Sequence, residues 1–191
     1  MQATSNLLSL FDATVPVLSR YLGQLQGLLN VAAQHIAAHG LPERDLLAAR
    51  LAPDMLPLGQ QVEVAVNFAF RTCAPLAQRA ANLAAPVDAS VAALTARISQ
   101  AQAFLHDLRP EEFTDAAGRI ADDSAGQADI HLDGLTYACQ YALPNFFFHL
   151  SMVYALLRQQ GVAVGKPDFD GWHVYPSPRA QTTISLAPDL L

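Results

Sequence analysis

The sequence predicts an all-α protein that folds as a single-domain, antiparallel four-helix bundle. Two observations predict this class. Apolar residues recur at alternating spacings of four and three in four segments, and glycine and proline fall between these segments. With 191 residues the chain is long enough for a full core, so we expect a single domain over residues 1–170 and a C-terminal extension over residues 171–191.

The first two apolar stripes have clear signals at their ends. Gly40 and Pro42 are expected to end the first helix, and Pro57, which lacks an N–H, suits the first turn of the second helix. Residues 43–51 could add a short helix between them, and Pro16 either opens or kinks the first helix. The first stripe comprises Leu18, Leu22, Leu25, Leu29, Ala32 and Ile36, and the second Leu58, Val62, Ala65, Ala69, Thr72 and Leu76.

The third and fourth stripes lie further along the chain. Pro110 is expected to begin a short helical turn after the third helix, and Gly161 to end the fourth. The third stripe comprises Val87, Val91, Leu94, Ile98, Ala101 and Leu105, and the fourth Ala142, Phe146, His149, Val153 and Leu156.

A polar segment, residues 118–134, separates the third and fourth helices. Ile130 and Leu132 alternate there with polar residues, which favours a short β-hairpin that turns at residues 124–127, with an irregular loop as the alternative. After Asp170 the chain loses its periodicity, and Trp172 and Tyr175 are the residues expected to fix part of this tail to the helices.

Composition excludes several classes of protein. The net charge is −6 and no cluster of Lys and Arg exists, so we expect no nucleic-acid partner. The uncharged run at residues 134–157 is long enough to cross a bilayer, but Asn145 and His149 near its centre argue against a membrane span. Two cysteines form no disulfide framework and no basic residue precedes Arg20, so we expect a cytoplasmic protein without a secretory signal.

His149 is the one titratable residue on the four stripes, and we expect it to point into the packed helices. Asn145 lies one turn earlier on the same face, and Gln61 flanks Val62 on the second helix. A histidine in this position is either a core side chain hydrogen-bonded to another helix, or a ligand or general base in a cavity. With Tyr154 as an aromatic neighbour, we predict a ligand-binding pocket formed by His149, Asn145, Gln61 and Tyr154.

Two further histidines, His35 and His39, have the spacing at which one helix offers two imidazoles to a metal. Both residues precede Gly40 in the last helical turn, where a histidine also favours the negative end of the helix dipole. Because no acidic or cysteine partner lies near in sequence, the capping role is favoured.

Three blocks of sequence resemble a known family. They are AARLAPDMLPLGQQV at 48–62, ALPNFFFHLSMVYALLRQQGV at 142–162 and GKPDF at 165–169. They resemble a bacterial domain-of-unknown-function family placed among the DinB-like bundles, with YfiT-like metal enzymes as relatives. The resemblance implies a four-helix bundle that is often dimeric, so we expect a homodimer. The wider superfamily includes metal-dependent thiol transferases, isomerases and hydrolase-like proteins.

The sequence departs from the metal site that this resemblance implies. That site uses one histidine from the second helix and an H-x3-H pair on the fourth, whereas residues 57–76 contain no histidine and the pair is reduced to Asn145 and His149. We therefore predict no cofactor and a metal-free protein that binds a small ligand or a partner. The alternative is a metal-dependent enzyme of the thiol-transferase or hydrolase-like kind, with His149 as ligand of a divalent transition metal or as general base.

Overall fold

A computed structural model describes residues 9–81, 83 and 90–175. The described chain is mostly helical and carries one small two-stranded sheet. Four of its helices are long and three are short. In chain order they are α1 (Leu10–His39), α2 (Glu43–Leu47), α3 (Leu58–Leu76), α4 (Val91–Asp107), α5 (Gly134–Thr136), α6 (Leu143–Gln159) and α7 (Lys166–Asp170). The expected helical turn after α4 is present as a 3-10 helix over Pro110–Phe113.

Local sequence signals explain where α1 begins and ends. Ser9 caps its first turn by accepting a hydrogen bond from the N–H of Asp12, whose carboxylate in turn accepts from Ser9. Gly40 ends the helix as expected, with a φ of 60° that glycine adopts without strain. Pro16 neither opens α1 nor stands near its boundary, because the Ser9 cap starts the helix six residues earlier, at Leu10.

The apolar stripes form the core as the sequence predicts. Nearly every stripe residue in the described chain is buried, while Val87 lies outside the described residues. α3 packs along both α6 and α4, and α1 packs on α4, α3 and α6. Residues at the ends of two stripes, Ile36 and Val91, are partly buried. His149 is the exception within a stripe, because it is half-buried.

The β-hairpin predicted between the third and fourth long helices is confirmed. β1 (Ile120–Ala125) pairs antiparallel with β2 (Ala128–Asp133) through a two-residue turn that begins at Gly126, where φ is 62°. The turn falls within the predicted residues 124–127. The hairpin contacts α3, which brings one of its strands beside the helix that carries Gln61.

The approach to α6 differs from the sequence prediction. Residues Tyr137–Ala142 form a π-helical segment that joins α5 directly to α6. Pro144 has no N–H to donate, and the N–H of Leu143 reaches back five residues to the carbonyl of Ala138 instead of four. The wider turn gives the segment before α6 a phase that a regular helical stripe does not predict.

The C-terminal part of the described chain packs on α1. Arg20 donates a hydrogen bond from Nη2 to the carbonyl of Asp170 at 2.7 Å, and its guanidinium lies 4.0 Å from the centre of the Trp172 ring. Trp172 therefore fixes the chain to the helices as expected, whereas Tyr175 stacks on its neighbour His173. No helix in the ranges described above is long and apolar enough to cross a membrane.

Candidate functional site

His149 and Gln61 form a hydrogen bond that joins α6 to α3. The Nδ1 atom of His149 lies 2.7 Å from Oε1 of Gln61. Gln61 is almost fully buried, with 2% of its surface exposed, whereas the imidazole is half-buried. The two side chains that sequence analysis placed together are therefore in contact, but the ring lies at the edge of the core and not in its middle.

The surroundings of Gln61 fix which nitrogen of His149 carries a proton. Nε2 of Gln61 donates to the carbonyl of Leu56 at 3.2 Å, and a carbonyl can only accept. Oε1 is therefore the Gln61 atom that faces the ring, so the Nδ1 atom of His149 must be the donor. In the neutral ring this leaves Nε2 unprotonated, with a lone pair that can accept a hydrogen bond.

The environment of His149 favours the neutral ring. Burial, together with the positive charge of Arg71, lowers the pKa of His149 from 6.5 to about 4. Its ring also stacks on that of Phe68, with centroids 5.9 Å apart and planes inclined by 19°. At neutral pH the imidazole is therefore uncharged and held in one tautomer.

A groove of about 290 Å³ opens beside His149, between α3, α6 and the tip of the hairpin. Asn145 also lines it and donates from Nδ2 to the carbonyl of Tyr141 at 2.7 Å. Most of the other lining residues are apolar or aromatic. The complete lining comprises Leu56, Val64, Phe68, Arg71, Ser124, Ala125, Gly126, Tyr141, Asn145 and His149.

A polar network anchored on Arg71 holds the hairpin against the groove. Both Nε and Nη2 of Arg71 donate to the Asp123 carboxylate, at distances of 2.6 to 3.1 Å, and Nη2 also reaches the carbonyl of Ser124 at 2.6 Å. The hydroxyl of Tyr137 lies 2.7 Å from Oδ2 of Asp123, and that of Tyr141 accepts from Nη2 of Arg71 at 3.0 Å. Burial, and then the neighbouring Asp123, raises the pKa of Tyr137 far above its ordinary value, so this phenol stays protonated.

Sequence reasoning did not identify this network. Arg71 lies on α3 without an acidic residue at helical spacing that would mark it as a partner, and Asp123 stands 52 positions later, on a predicted hairpin. The two tyrosines come from the π-helical segment, whose phase the stripe pattern does not give. The available signal was the position of Asp123 within the period of two over residues 118–134: it pairs with Ile130 and so lies on the apolar face of the hairpin, where a carboxylate needs a partner.

Tyr154 is not brought to the groove. Its ring packs edge-on against Phe169 of α7, with centroids 5.7 Å apart, and it is not among the groove residues. It lies five residues after His149 on α6, which turns it to a different face of the helix. The structure thus brings His149 and Asn145 to the groove, places Gln61 behind His149 as its hydrogen-bond partner, and leaves out Tyr154.

The histidine pair His35 and His39 has the arrangement of a helix cap. Nδ1 of His39 donates to the carbonyl of His35 at 2.9 Å, which occupies one of the last carbonyls of α1. Pro57, expected in the first turn of the second long helix, directly precedes α3 and gives it no side-chain cap.

The residues around His149 do not fit the metal site of the resembling superfamily. Gln61 and Asn145 offer amides, which are weaker ligands for transition metals than imidazole, thiolate or carboxylate. The charge of Arg71, which lowers the pKa of His149, also opposes the binding of a cation. Among the described residues, no group of three or more His, Cys, Asp or Glu side chains is placed to hold a metal ion.

Comparisons with known proteins agree with this architecture. A family model described as "Domain of unknown function (DUF1993)" matches residues 10–170. The crystal structure of a DinB family member from Shewanella denitrificans superposes with a TM-score of 0.75 at 30% sequence identity, over 88% of this chain and 96% of that one. No curated protein matches the sequence.

Proposed function

The chain belongs to the DUF1993 family and is related to the DinB-like fold, and from that premise we propose that it binds a small molecule in the groove beside His149. The observation that carries the proposal is the chain of hydrogen bonds from Leu56 through Gln61 to His149, which holds the imidazole in one tautomer at the wall of a cavity. The buried Gln61 thus orients the half-buried His149, as in a preorganised binding site.

The shape and lining of the groove support binding. Its volume of about 290 Å³ is close to that of the smallest small-molecule sites, about 300 Å³. Apolar and aromatic walls from Leu56, Val64 and Phe68 surround a few polar groups, which is the usual composition of such sites. The network at Arg71 fixes the hairpin that forms one wall, so that wall is formed before a ligand arrives.

Binding is better supported than acid–base catalysis. A general base works best when its pKa is near the working pH, and the pKa of His149 is lowered to about 4. Such a ring accepts a hydrogen bond at neutral pH but is a weak base. The metal-dependent alternative has no support from the donor set, because amides and a cation surround the imidazole.

The arrangement of the four long helices is also part of what we propose. We take α1, α3, α4 and α6 to form an antiparallel four-helix bundle of DinB-like type that occupies residues 1–170 as one domain. Support comes from the four buried stripes and from the packing of α3 on α4 and α6 and of α1 on the other three. The groove would then lie at the edge of the bundle, where the hairpin covers α3 and α6.

Fragment binding followed by NMR tests the proposed function. We expect at least one small aromatic fragment to shift the backbone amides of the groove residues in the full chain. His149→Ala should weaken this binding by about threefold to tenfold, because one hydrogen bond is lost. His131→Ala is the matched control, since His131 is an exposed histidine on the hairpin that does not line the groove. If no fragment shifts the groove residues, or if both variants bind equally well, the proposal is wrong.

A further inference from the structure

We propose that the groove selects uncharged molecules that donate hydrogen bonds, such as phenols, alcohols and primary amides. This inference rests on the proposed function, because it names the class of ligand that the same groove would take. It follows from which polar atoms of the lining already have partners and which remain open.

The first open atom is Nε2 of His149. Nδ1 is used as the donor to Gln61, so Nε2 carries the lone pair of the neutral ring. It has no hydrogen-bond partner in the described chain. Arg20 Nε is the single buried side-chain nitrogen or oxygen without a partner among the described residues, so Nε2 is reachable from solvent. A ligand at this atom must supply a proton.

The second open atom is the side-chain oxygen of Asn145. Nδ2 of this amide donates to the carbonyl of Tyr141, which leaves Oδ1 as an acceptor. Oδ1 likewise has no partner in the described chain and is not a buried atom without a partner. Since His149 lies one helical turn after Asn145 on α6, the two acceptors share one wall of the groove.

Charge decides between an uncharged donor and an ionic one. Arg71 is already paired with Asp123 through Nε and Nη2, so its cation has a counter-ion before any ligand arrives. Its positive charge still acts at His149 and opposes an ammonium group there. Nη1 of Arg71 also makes no hydrogen bond in the described chain and could meet a carboxylate, but Asp123 already compensates this charge. A carboxylate also brings no proton to the two acceptors of His149 and Asn145. A neutral ligand with an O–H or N–H suits both open atoms.

Four fragments of similar shape test the inference: 4-methylphenol, 4-methylanisole, 4-methylbenzoate and 4-methylbenzylamine. Each is titrated into the labelled full-length protein at about pH 7, where the phenol is uncharged and the benzoate and benzylamine are ionised. We expect the phenol to bind in the groove about threefold to tenfold more tightly than its methyl ether, which lacks one hydrogen bond. The ¹⁵N resonance of His149 Nε2 should move with the phenol and not with the ether.

The tautomer gives a second readout. In Gln61→Leu the partner of Nδ1 is removed, so the ring can move its proton to Nε2, and the preference for the phenol over the ether should shrink. Gln60→Leu changes an exposed neighbouring glutamine on α3 and should keep the preference. The ligand series in the unmodified protein stands on its own if Gln61→Leu fails to fold.

The outcomes separate the inference from the proposed function. Binding of the ether, the benzoate or the benzylamine in the groove as tightly as the phenol overturns the inference and leaves the groove as a binding site. Absence of any shift at the groove residues with all four fragments counts against both. Equal preference in Gln61→Leu and Gln60→Leu also overturns the inference, because the tautomer would then not determine the selection.

Discussion

At the scale of single residues, the hydrogen bond between His149 and Gln61 predicts non-additive stability effects. His149→Leu leaves Oε1 of the buried Gln61 without a partner, and we expect a loss of about 1–3 kcal/mol in the free energy of unfolding. Gln61→Leu removes the acceptor of His149 and the donor to Leu56 and should also destabilise. The double variant should cost less than the sum of the two, because neither side chain is left without its partner. Urea unfolding measures all four proteins, and strictly additive losses would contradict the coupling.

The same histidine predicts a dependence of stability on pH. Burial and then the charge of Arg71 lower the pKa of His149 from 6.5 to about 4 in the folded protein. Between these values the unfolded chain binds a proton that the folded protein does not, so acid favours unfolding. The contribution of the neutral His149 to the free energy of unfolding is complete above about pH 6.5 and is lost as the pH falls toward about 4.

His149→Leu isolates this contribution from the other titratable groups. The difference in free energy of unfolding between the unmodified protein and His149→Leu should shrink as the pH is lowered from about 7 to about 5. Chemical unfolding at several pH values measures it. A difference that stays constant over this interval would mean that the pKa of His149 is not lowered by folding.

At the scale of elements, the hairpin depends on one of two adjacent aspartates. Asp123 holds Arg71 and Tyr137, with only 13% of its side chain exposed, whereas Asp122 pairs with His131 in a bridge where both side chains are more than 70% exposed. Asp123→Ala should destabilise the protein by about 1–3 kcal/mol, because a partly buried cation and a phenol lose their acceptor. Asp122→Ala should change stability little, since exposed ion pairs contribute little.

Hydrogen exchange measures which part of the protein Asp123→Ala destabilises. Relative to the unmodified protein, Asp123→Ala should speed the exchange of the β1 and β2 amides more than that of the α1 and α4 amides, because the hairpin loses its attachment to α3. In Asp122→Ala exchange should match the unmodified protein. Equal protection of the hairpin in both variants would show that Arg71 does not anchor it.

Periodicity predicted the elements well where burial determines them. The stripes on α1, α3, α4 and α6 are buried as predicted, and the hairpin lies between α4 and α6 in the chain as predicted. Both could be predicted because the helical and the strand periodicity each repeat along a short stretch of sequence. The π-helical segment was not predicted. It replaces one backbone hydrogen-bonding pattern by another around Pro144 and leaves no repeat of apolar residues to detect. Tyr154 was misplaced for a related reason, since nearness in sequence to His149 does not give the same helix face.

At the scale of the whole molecule, the candidate site combines a predictable part and an unpredictable part. His149 and Gln61 were found because each breaks or flanks an apolar stripe, and buried polar side chains need partners. Arg71, Asp123, Tyr137 and Tyr141 meet only after α3, the hairpin and the π-helical segment have packed together. Such contacts depend on tertiary geometry, which a single sequence does not encode as a local pattern.

The packing of the C-terminal segment on α1 predicts a separable local transition. Trp172 is the one tryptophan of the chain and lies against Arg20, so its fluorescence reports on the attachment of α7. Arg20→Ala removes both the ring contact and the hydrogen bond to the carbonyl of Asp170. We expect the Trp172 signal of this variant to change at lower urea concentration than the helical circular dichroism, because α1, α3, α4 and α6 keep their core.

Arg44→Ala provides the control for this transition. Arg44 has 88% of its side chain exposed and pairs with its neighbour Asp45, so its loss should leave the two signals coincident, as we expect for the unmodified protein. Coincident transitions in Arg20→Ala as well would mean that α7 unfolds with the long helices. The attachment at Arg20 would then be one part of a single cooperative unit and not a local contact that opens by itself.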